Sequence, residues 1–242
     1  DLTPNESWTN STTFNFTATD TDGGGNINLS SAAAYFQRGS ETTRFNMSCS
    51  NGGVSGTSVN FTCTIGMWYF DQAGSWTIYV NVSDNNQETG TNSSESFTYI
   101  SLPAMVMSPT ALGWTGVGLA SVDTAANNPI TINNTGNAVN LNINVTSLDL
   151  QGNQTTSQHI FAENFTVKNA VGGCGAGTTM VNDTSTNVTS AILQSGNNTL
   201  DNNDETSGQE QTFFCLRGVP QDISAQEYSS VPLGAWTLQI IT

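Results

Sequence analysis

The sequence is poor in positive charge. Its 242 residues contain 4 Lys and Arg against 19 Asp and Glu, so the net charge is −15, although only 10% of the residues are charged. Such a chain cannot neutralise a phosphate backbone or adhere to an anionic bilayer. We therefore predict no nucleic-acid partner, and a surface whose polarity comes from Asn, Ser and Thr.

Long apolar runs are also missing. The nearest approach to a transmembrane segment, residues 101–122, carries no charge but is interrupted by prolines and glycines. This pattern favours a linker leading into strands over a membrane span. The polar start, Asp1 to Pro4, is typical of a mature N-terminus rather than of a signal peptide. We expect no direct membrane insertion of this chain.

Reactive groups are scarce as well. The single histidine, His159, has no thiol to activate if the four cysteines form disulfides, and no G-x-S-x-G motif is present. No C-x-x-C pair exists, which argues against zinc. A glycosidase would need two carboxylates facing each other in a cleft, but the acidic residues fall mainly in loops. We therefore predict that the protein is not an enzyme.

One acidic loop resembles the start of a calcium site. Asp20, Asp22 and Asn26 surround three glycines, but Ser31 stands where an EF-hand loop needs its bidentate glutamate. A second, weaker candidate lies at residues 201–205. In each loop a plain turn is the alternative, and we expect no cofactor other than this calcium.

The chain is rich in Asn-x-Ser/Thr sequons, the acceptors of N-linked glycans. Random placement of 29 Asn among 61 Ser and Thr in 242 residues gives about 7 sequons, whereas the sequence has 15. A merely Asn- and Thr-rich surface is the alternative to real glycosylation. The acceptors are Asn5, Asn10, Asn15, Asn28, Asn46, Asn60, Asn81, Asn92, Asn133, Asn144, Asn153, Asn164, Asn182, Asn187 and Asn197.

Several sequons have an apolar residue at their centre. Because strand side chains alternate between the two faces, Asn and Ser/Thr then point outward together while the centre enters the core. This pattern predicts strands that carry sugar on one face and pack on the other. The acceptors concerned are Asn15, Asn46, Asn60, Asn81, Asn144 and Asn164.

Four cysteines allow three disulfide connectivities. We favour Cys49–Cys63 and Cys174–Cys215, because each pair then stays within one predicted domain. Phe45 and Met47 are expected to face inward with Cys49, and residues 50–58 to form a turn-rich loop between two strands. Disulfides together with sequons indicate an extracellular protein.

The alternation predicts an all-β protein of two tandem domains. The first spans residues 1–101, residues 102–110 form a linker, and the second spans 111–242 with a loop-rich insertion near 170–210. The short strands, separated by Gly, Asn and Asp turns, favour antiparallel β-sandwiches.

Three stretches strengthen this fold assignment by resemblance. Residues 71–86, "DQAGSWTIYVNVSDNN", resemble a strand of immunoglobulin-like (Ig-like) domains in prokaryotic surface proteins, with Asp71 and Gly74 at a corner and Trp76 where those families usually place Tyr. Residues 127–150 and 211–242 resemble a strand-turn-strand and a closing hairpin of archaeal cell-surface and filament proteins. The resemblance implies two tandem Ig-like domains.

Two functions follow as expectations. The first is a glycosylated structural subunit of an extracellular filament, pilus-like thread or surface layer, whose partners are copies of itself joined through strand edges or a donated terminal strand. The second is an adhesin or receptor-binding ectodomain, cellular or viral. The aromatic run Trp68, Tyr69 and Phe70 bears on the second function, because at least one of the three should be exposed in a strand.

Overall fold

The computed structural model describes residues 1–196 and 208–242 and is built of antiparallel sheets, which confirms the all-β prediction. The chain divides into two compact units, Asp1–Leu102 and Pro103–Thr242. The expectation of a linker at 102–110 is wrong for its central part. Met105–Ser108 forms a strand there and pairs with residues 131–134 of the second unit.

Unit 1 has two sheets that enclose one core. In strand order, one sheet is β1-β5-β4 and the other is β3-β2-β6-β7. A short 3₁₀ turn covers Gly24–Asn26. The strands are β1 (Thr9–Thr19), β2 (Ala33–Gln37), β3 (Arg44–Asn46), β4 (Ser50–Ser55), β5 (Ser58–Trp68), β6 (Gly74–Ser83) and β7 (Thr89–Tyr99).

The core of unit 1 follows from alternation along its long strands. On β5, every second side chain from Val59 to Met67 is at most 1% exposed. Trp76 and Tyr99 are fully buried from the opposite sheet, as their positions in the sequence predict. Removing these side chains from water supplies about 1.5–3 kcal/mol each, which is why the polar outer faces do not prevent folding.

Residues 50–58 differ from the expected loop. Ser50–Ser55 forms β4, which pairs with β5 and reaches it through a tight turn at Gly56 and Thr57. Gly56 has a φ of +62°, a conformation that glycine adopts without steric cost. A polar, glycine-rich edge strand has no apolar alternation, so the sequence pattern could not distinguish it from a loop.

A buried ion pair fixes the corner between β5 and β6. Asp71 is 1% exposed and accepts hydrogen bonds from the Arg44 guanidinium, with the Nε at 2.9 Å from Oδ2, and from the Trp68 backbone N–H at 2.7 Å. Gly74 follows with a φ of +125°, and the indole of Trp76 donates to the carbonyl of Gln72 at 3.0 Å. Asp71 and Gly74 thus shape this corner.

The same ion pair decides which face of β3 is buried. Arg44 must point inward to reach Asp71, so its neighbour Phe45 points outward, opposite Tyr35 of β2. Phe45 is 64% exposed and Met47 is 66% exposed. The prediction that Phe45 and Met47 face the core with Cys49 is therefore wrong, because the charge of Arg44 outweighs the apolar pattern on this three-residue strand.

Tyr99 gives unit 1 an expected alkaline transition. Burial raises the pKa of its phenol well above the usual value, and the Asp71 carboxylate adds to this shift while Arg44 opposes it. The folded state therefore keeps a proton that the unfolded chain releases near pH 10, so this contribution to stability is present below about pH 10 and is lost as the pH rises past it.

The test compares Tyr99→Phe with the unchanged protein by denaturant unfolding at neutral and alkaline pH. At neutral pH the variant should lose about 1 kcal/mol, because the phenol donates to the Trp68 carbonyl at 3.0 Å. Between about pH 9 and 11 it should lose less further stability than the unchanged protein. Tyr35→Phe serves as the control, and equal alkaline losses in all three proteins would contradict the assignment.

Unit 2 has a larger set of strands around a second core. Ile132, Leu141, Ile143 and Phe165 are fully buried there. Short 3₁₀ turns cover Ala162–Asn164 and Cys174–Ala176. The strands are β8 (Met105–Ser108), β9 (Val122–Ala125), β10 (Ile130–Asn134), β11 (Leu141–Ser147), β12 (Leu150–Gly152), β13 (His159–Ile160), β14 (Phe165–Lys168), β15 (Thr178–Thr179), β16 (Thr184–Leu193), β17 (Gln209–Gly218), β18 (Tyr228–Ser229) and β19 (Thr237–Ile241).

The described residues of this unit form three sheets. The largest has the order β15-β14-β17-β10-β8, with β9 also pairing with β17; the second is β16-β11-β19, and a small third sheet is β13-β12-β18. The turn at residues 134–137, between β10 and β11, is buried. The Asn134 amide holds it by donating to the carbonyls of Ala138 and Gln194, both at 2.7 Å.

The expected loop-rich insertion at 170–210 is largely structured where it is described. It contributes β15 and β16, and Met180, Val188 and Leu193 enter the core. Strand β16 has a polar sequence because its outward residues are Ser, Thr and Asn. Its few buried positions are therefore hard to recognise from the sequence alone. The candidate calcium loop at 201–205 lies outside the described residues.

Candidate functional site

The sequon asparagines form the most extensive candidate site. None of the fourteen that the structure describes is buried; Asn197 lies outside the described residues. The buried asparagines of the described chain are Asn134 and Asn137, and neither begins a sequon. The described acceptors thus all lie outside the interior, as do most of the other described asparagines.

Strand sequons of the outward register have the predicted geometry. Asn60 is exposed while the centre of its sequon, Phe61, is fully buried, and Asn144 lies outside Val145, which is 2% exposed. The sequon at Asn187 has the same arrangement, with Val188 1% exposed. Asn15 and Asn81 likewise lie on outer faces of their sheets, and their centres Phe16 and Val82 pack against the core.

Three sequons depart from this geometry. Asn10 and Asn46 occupy inward registers, opposite the buried Met67 and Ala34, although both acceptors remain half-buried near strand ends. At Asn164 the third residue, Thr166, is only 2% exposed, and its hydroxyl donates to the carbonyl of Cys174. The alternation pattern alone thus overestimates how many acceptors face outward from a strand.

A further group of acceptors lies in tight local turns. The side-chain oxygens of Asn28, Asn46 and Asn92 each accept the backbone N–H of the sequon serine two residues later, at 3.1, 2.8 and 2.7 Å. Such Asx turns form from the local sequence without tertiary support. They hold the acceptor amide at the surface.

Two pairs of sequons meet across strands. Asn144 of β11 lies directly opposite Asn187 of β16, and the Asn187 amide donates to the Asn144 side-chain oxygen at 3.0 Å. Asn15 lies opposite Thr62 of the Asn60 sequon, and the Thr62 hydroxyl donates to the Asn15 side-chain oxygen at 2.7 Å. Sequence reasoning missed both pairings, because they depend on the register.

Both disulfides join the cysteines that the sequence analysis favours. Cys49 and Cys63 are bonded with their Cα atoms 4.6 Å apart, and Cys63 lies in the core of unit 1. Cys174 and Cys215 are bonded with their Cα atoms 5.2 Å apart. Cys215 lies between the core residues Phe214 and Leu216, so this second bridge is on the outer face of its sheet.

The Cys174–Cys215 bridge holds the 170–177 loop over that outer face. Beneath it lies Lys168, the only lysine of the chain, which is 9% exposed and donates to the Gly173 carbonyl at 2.6 Å. On the neighbouring strand Asp123 accepts the backbone N–H of Cys174. The disulfide and these two hydrogen bonds together fix the loop on the outer face of the sheet.

The candidate calcium loop folds as a turn. The Asp20 carboxylate accepts the backbone N–H of Asp22 at 2.8 Å, and the Asp20 carbonyl accepts the N–H of Gly23. Asp22 and Asn26 are exposed. The side chain of Asp20 therefore takes part in a local Asx turn, and calcium binding by this loop stays a prediction.

The single histidine and one cluster of potential metal ligands are candidate reactive groups in the part of the chain that the structure describes. His159 is half-buried on β13 and stacks on Phe161, with ring centroids 6.2 Å apart. Only Asp123, Cys174 and Cys215 bring three potential metal-ligating atoms together within these residues, and both cysteines are in the disulfide. In this cluster the disulfide and the Asp123 carboxylate hold the 170–177 loop.

Exposed aromatic side chains occur on unit 1. Trp68 is 44% exposed and stacks on Phe70 with ring centroids 5.7 Å apart, and Arg44 lies 5.8 Å from the centre of the Phe70 ring. Trp8 is 71% exposed. Of the run 68–70, Trp68 is thus the exposed member, and with Trp8 and Phe45 it gives unit 1 three exposed aromatic side chains.

Unit 2 contains a cavity of about 810 Å³ between its sheets. Aromatic side chains line it, including Trp114, Phe165, Phe214 and Trp236. The Trp236 indole donates to the Leu148 carbonyl at 2.8 Å, whereas the buried indole nitrogen of Trp114 has no hydrogen-bond partner within the described chain. The wall also contains polar side chains such as Gln226, Glu227 and Ser229, and the Trp114 indole is an unused donor in it.

No protein-family model matches the chain, and no curated protein is significantly similar to it. Among the described residues, no helix has the length and apolar character needed to cross a membrane.

Proposed function

We propose that this chain is a glycosylated structural subunit of an extracellular assembly, such as a filament, pilus-like thread or surface layer, built of two Ig-like β-sandwich domains. The observation that carries the proposal is the placement of the sequons: fourteen described acceptors avoid the interior, while centres such as Phe61 and Val145 fill it. Two disulfides support a location outside the cell.

Strand edges are the surfaces through which such subunits would join. Both terminal segments already pair within the chain: β1 with β5 over eleven positions, and β19 with β11 over five. We therefore favour edge pairing over donation of a terminal strand. Among the described residues β19 pairs with β11 alone, and its sequence Thr237–Ile241 contains no charge, proline or sequon. Such an unprotected edge can pair with another chain.

Charge on β19 should therefore abolish assembly. In electron micrographs, unmodified protein is expected to form repeating polymers, and the variant carrying Gln239→Lys and Ile241→Lys to remain monomeric, because each added charge must be desolvated at the edge. The control is Thr13→Lys on β1, which makes the same kind of change on an exposed position of a sequon-bearing strand. Polymers from the β19 variant would rule out this edge; monodisperse unmodified protein would refute the structural-subunit proposal.

A binding module is the second candidate function. The exposed aromatic groups Trp8, Phe45 and Trp68 favour it, since such side chains are typical anchors of protein and sugar contacts. Under this alternative the purified protein is monodisperse, and Trp68→Ser reduces binding to the target surface. Retention of full binding by that variant would exclude Trp68 as an anchor.

A further inference from the structure

The opposition of Asn144 and Asn187 is unusual because both residues are glycan acceptors. They are 43 positions apart in the sequence and become neighbours only through an irregularity of the β11–β16 pairing. Asn142 pairs with Ile192, but Asn144 pairs with Asn187, and Ser190 in the intervening bulge has a φ of +61°. Without the bulge, regular pairing would place Ser190 opposite Asn144.

The amides of this pair are engaged with each other and with one further group. Asn187 donates to the Asn144 side-chain oxygen at 3.0 Å, and the Asn144 amide donates to the Ser185 hydroxyl at 3.0 Å. Directly opposed strand residues have Cβ atoms about 4.5–5.5 Å apart. A pyranose ring with its equatorial substituents is wider than that gap, so two first sugars attached here would overlap.

The acceptors Asn15 and Asn60 provide an internal comparison. Asn15 lies opposite Thr62 and Asn60 lies opposite Thr17, so the two asparagines are diagonal neighbours. Diagonal strand positions are about 7–8 Å apart, which leaves more room for a sugar ring on each than directly opposed positions do. Each pair therefore consists of two acceptor asparagines, but Asn144 and Asn187 are closer together than Asn15 and Asn60.

We propose that Asn144 and Asn187 are mutually exclusive glycosylation sites, so that a folded molecule carries at most one glycan on this pair, whereas Asn15 and Asn60 are occupied independently. This inference rests on the proposed glycosylation of the chain. If sugar is added before the strands pair, doubly modified chains fold poorly and are depleted. If it is added afterwards, the first sugar screens the second acceptor. Both orders of events give the same outcome.

Site occupancy by glycopeptide mass spectrometry tests the proposal in the full, folded chain from an N-glycosylating host. Thr146→Val removes the sequon at Asn144 but keeps its amide, and should raise the occupancy of Asn187. Thr189→Val should raise the occupancy of Asn144 in the same way. Thr17→Val, the matched control, removes the sequon at Asn15 and should leave the occupancy of Asn60 unchanged.

Each outcome decides a separate point. In the unmodified protein the summed occupancy of Asn144 and Asn187 should not exceed one glycan per chain. Two nearly full sites would overturn exclusivity while leaving the glycosylation proposal intact. If both sites are empty in every protein but other sequons carry sugar, the pair is not an acceptor site and the exclusivity proposal also fails. Sugar on none of the sequons would instead refute the glycosylation proposal itself.

Discussion

Replacing Asp71 with alanine is expected to cost unit 1 about 3–5 kcal/mol, because the substitution leaves the Arg44 guanidinium without its buried partner. The same change removes the acceptor of the Trp68 backbone N–H at the corner between β5 and β6. Asp71→Asn should cost less, since an amide oxygen can still accept that bond. The exposed Asp22→Ala is the control and should change stability by at most about 0.5 kcal/mol.

Hydrogen exchange of the full chain, read peptide by peptide, measures this effect. Protection of the β5 and β6 peptides should fall steeply in the Asp71→Ala variant, whereas the β11 and β14 peptides of unit 2 report on the second core and should keep theirs. Unchanged protection in unit 1 would show that the attraction between Arg44 and Asp71 only offsets the free-energy cost of removing both charges from water.

Removing the Cys174–Cys215 disulfide is expected to cost unit 2 about 4 kcal/mol on the chain-entropy estimate, because the bridge closes a long loop in the unfolded state. The two cysteines are 41 residues apart, against 14 for Cys49 and Cys63. The shorter bridge should therefore contribute less, about 3 kcal/mol. The variants are the double Cys→Ser substitutions of each pair.

Denaturant unfolding of the full chain, with hydrogen exchange to assign each loss to a unit, makes the comparison. The longer-bridge variant should lose protection first around β14 and β17, where the 170–177 loop is locked onto the sheet. A loss below about 1 kcal/mol would indicate that the loop stays in place through its hydrogen bonds alone, a result compatible with Lys168 and Asp123 holding it.

The long strands could be predicted from the sequence, because the alternation of apolar and polar residues is clear where a strand has many residues and one solvent-exposed face. Strand β5 shows this directly, with inward residues from Val59 to Met67 and an acceptor asparagine among the outward ones. The same reasoning places Trp76 and Tyr99 in the core. Eleven residues give enough periods for the pattern to be unambiguous.

Short strands escaped the same reasoning for different reasons. Strand β3 has three residues, which are too few to establish an alternation of apolar and polar side chains. The ion pair with Asp71 turns Arg44 inward, so the buried and exposed faces of β3 are the reverse of those predicted. Strand β8 was expected to be a linker, because proline and small residues surround it, yet Met105 and Met107 pack against the core. In both cases a tertiary contact decides the structure of a segment whose local preference is weak.

The sequence predicts which asparagines are glycan acceptors, but it does not predict which of them lie next to each other. Sequons identify which asparagines can carry sugar, and their avoidance of the interior follows from the polarity of the side chain. Which acceptors become neighbours depends on strand pairing and, for Asn144 and Asn187, on the bulge at Ser190. A single sequence contains no signal for a bulge of this kind.

The scarcity of cations has a consequence for the proteolysis of the protein. Trypsin-like proteases cut after lysine or arginine in flexible chain, and this sequence offers four such positions. Lys168 is covered by its loop, Arg44 is held in the ion pair, Arg38 is bonded to Gln72, and Arg217 lies within β17. Arg38 follows β2 in a turn whose next residue, Gly39, is exposed, so we expect this class of enzyme to cut the folded protein there first and to reach the other three positions only after unfolding.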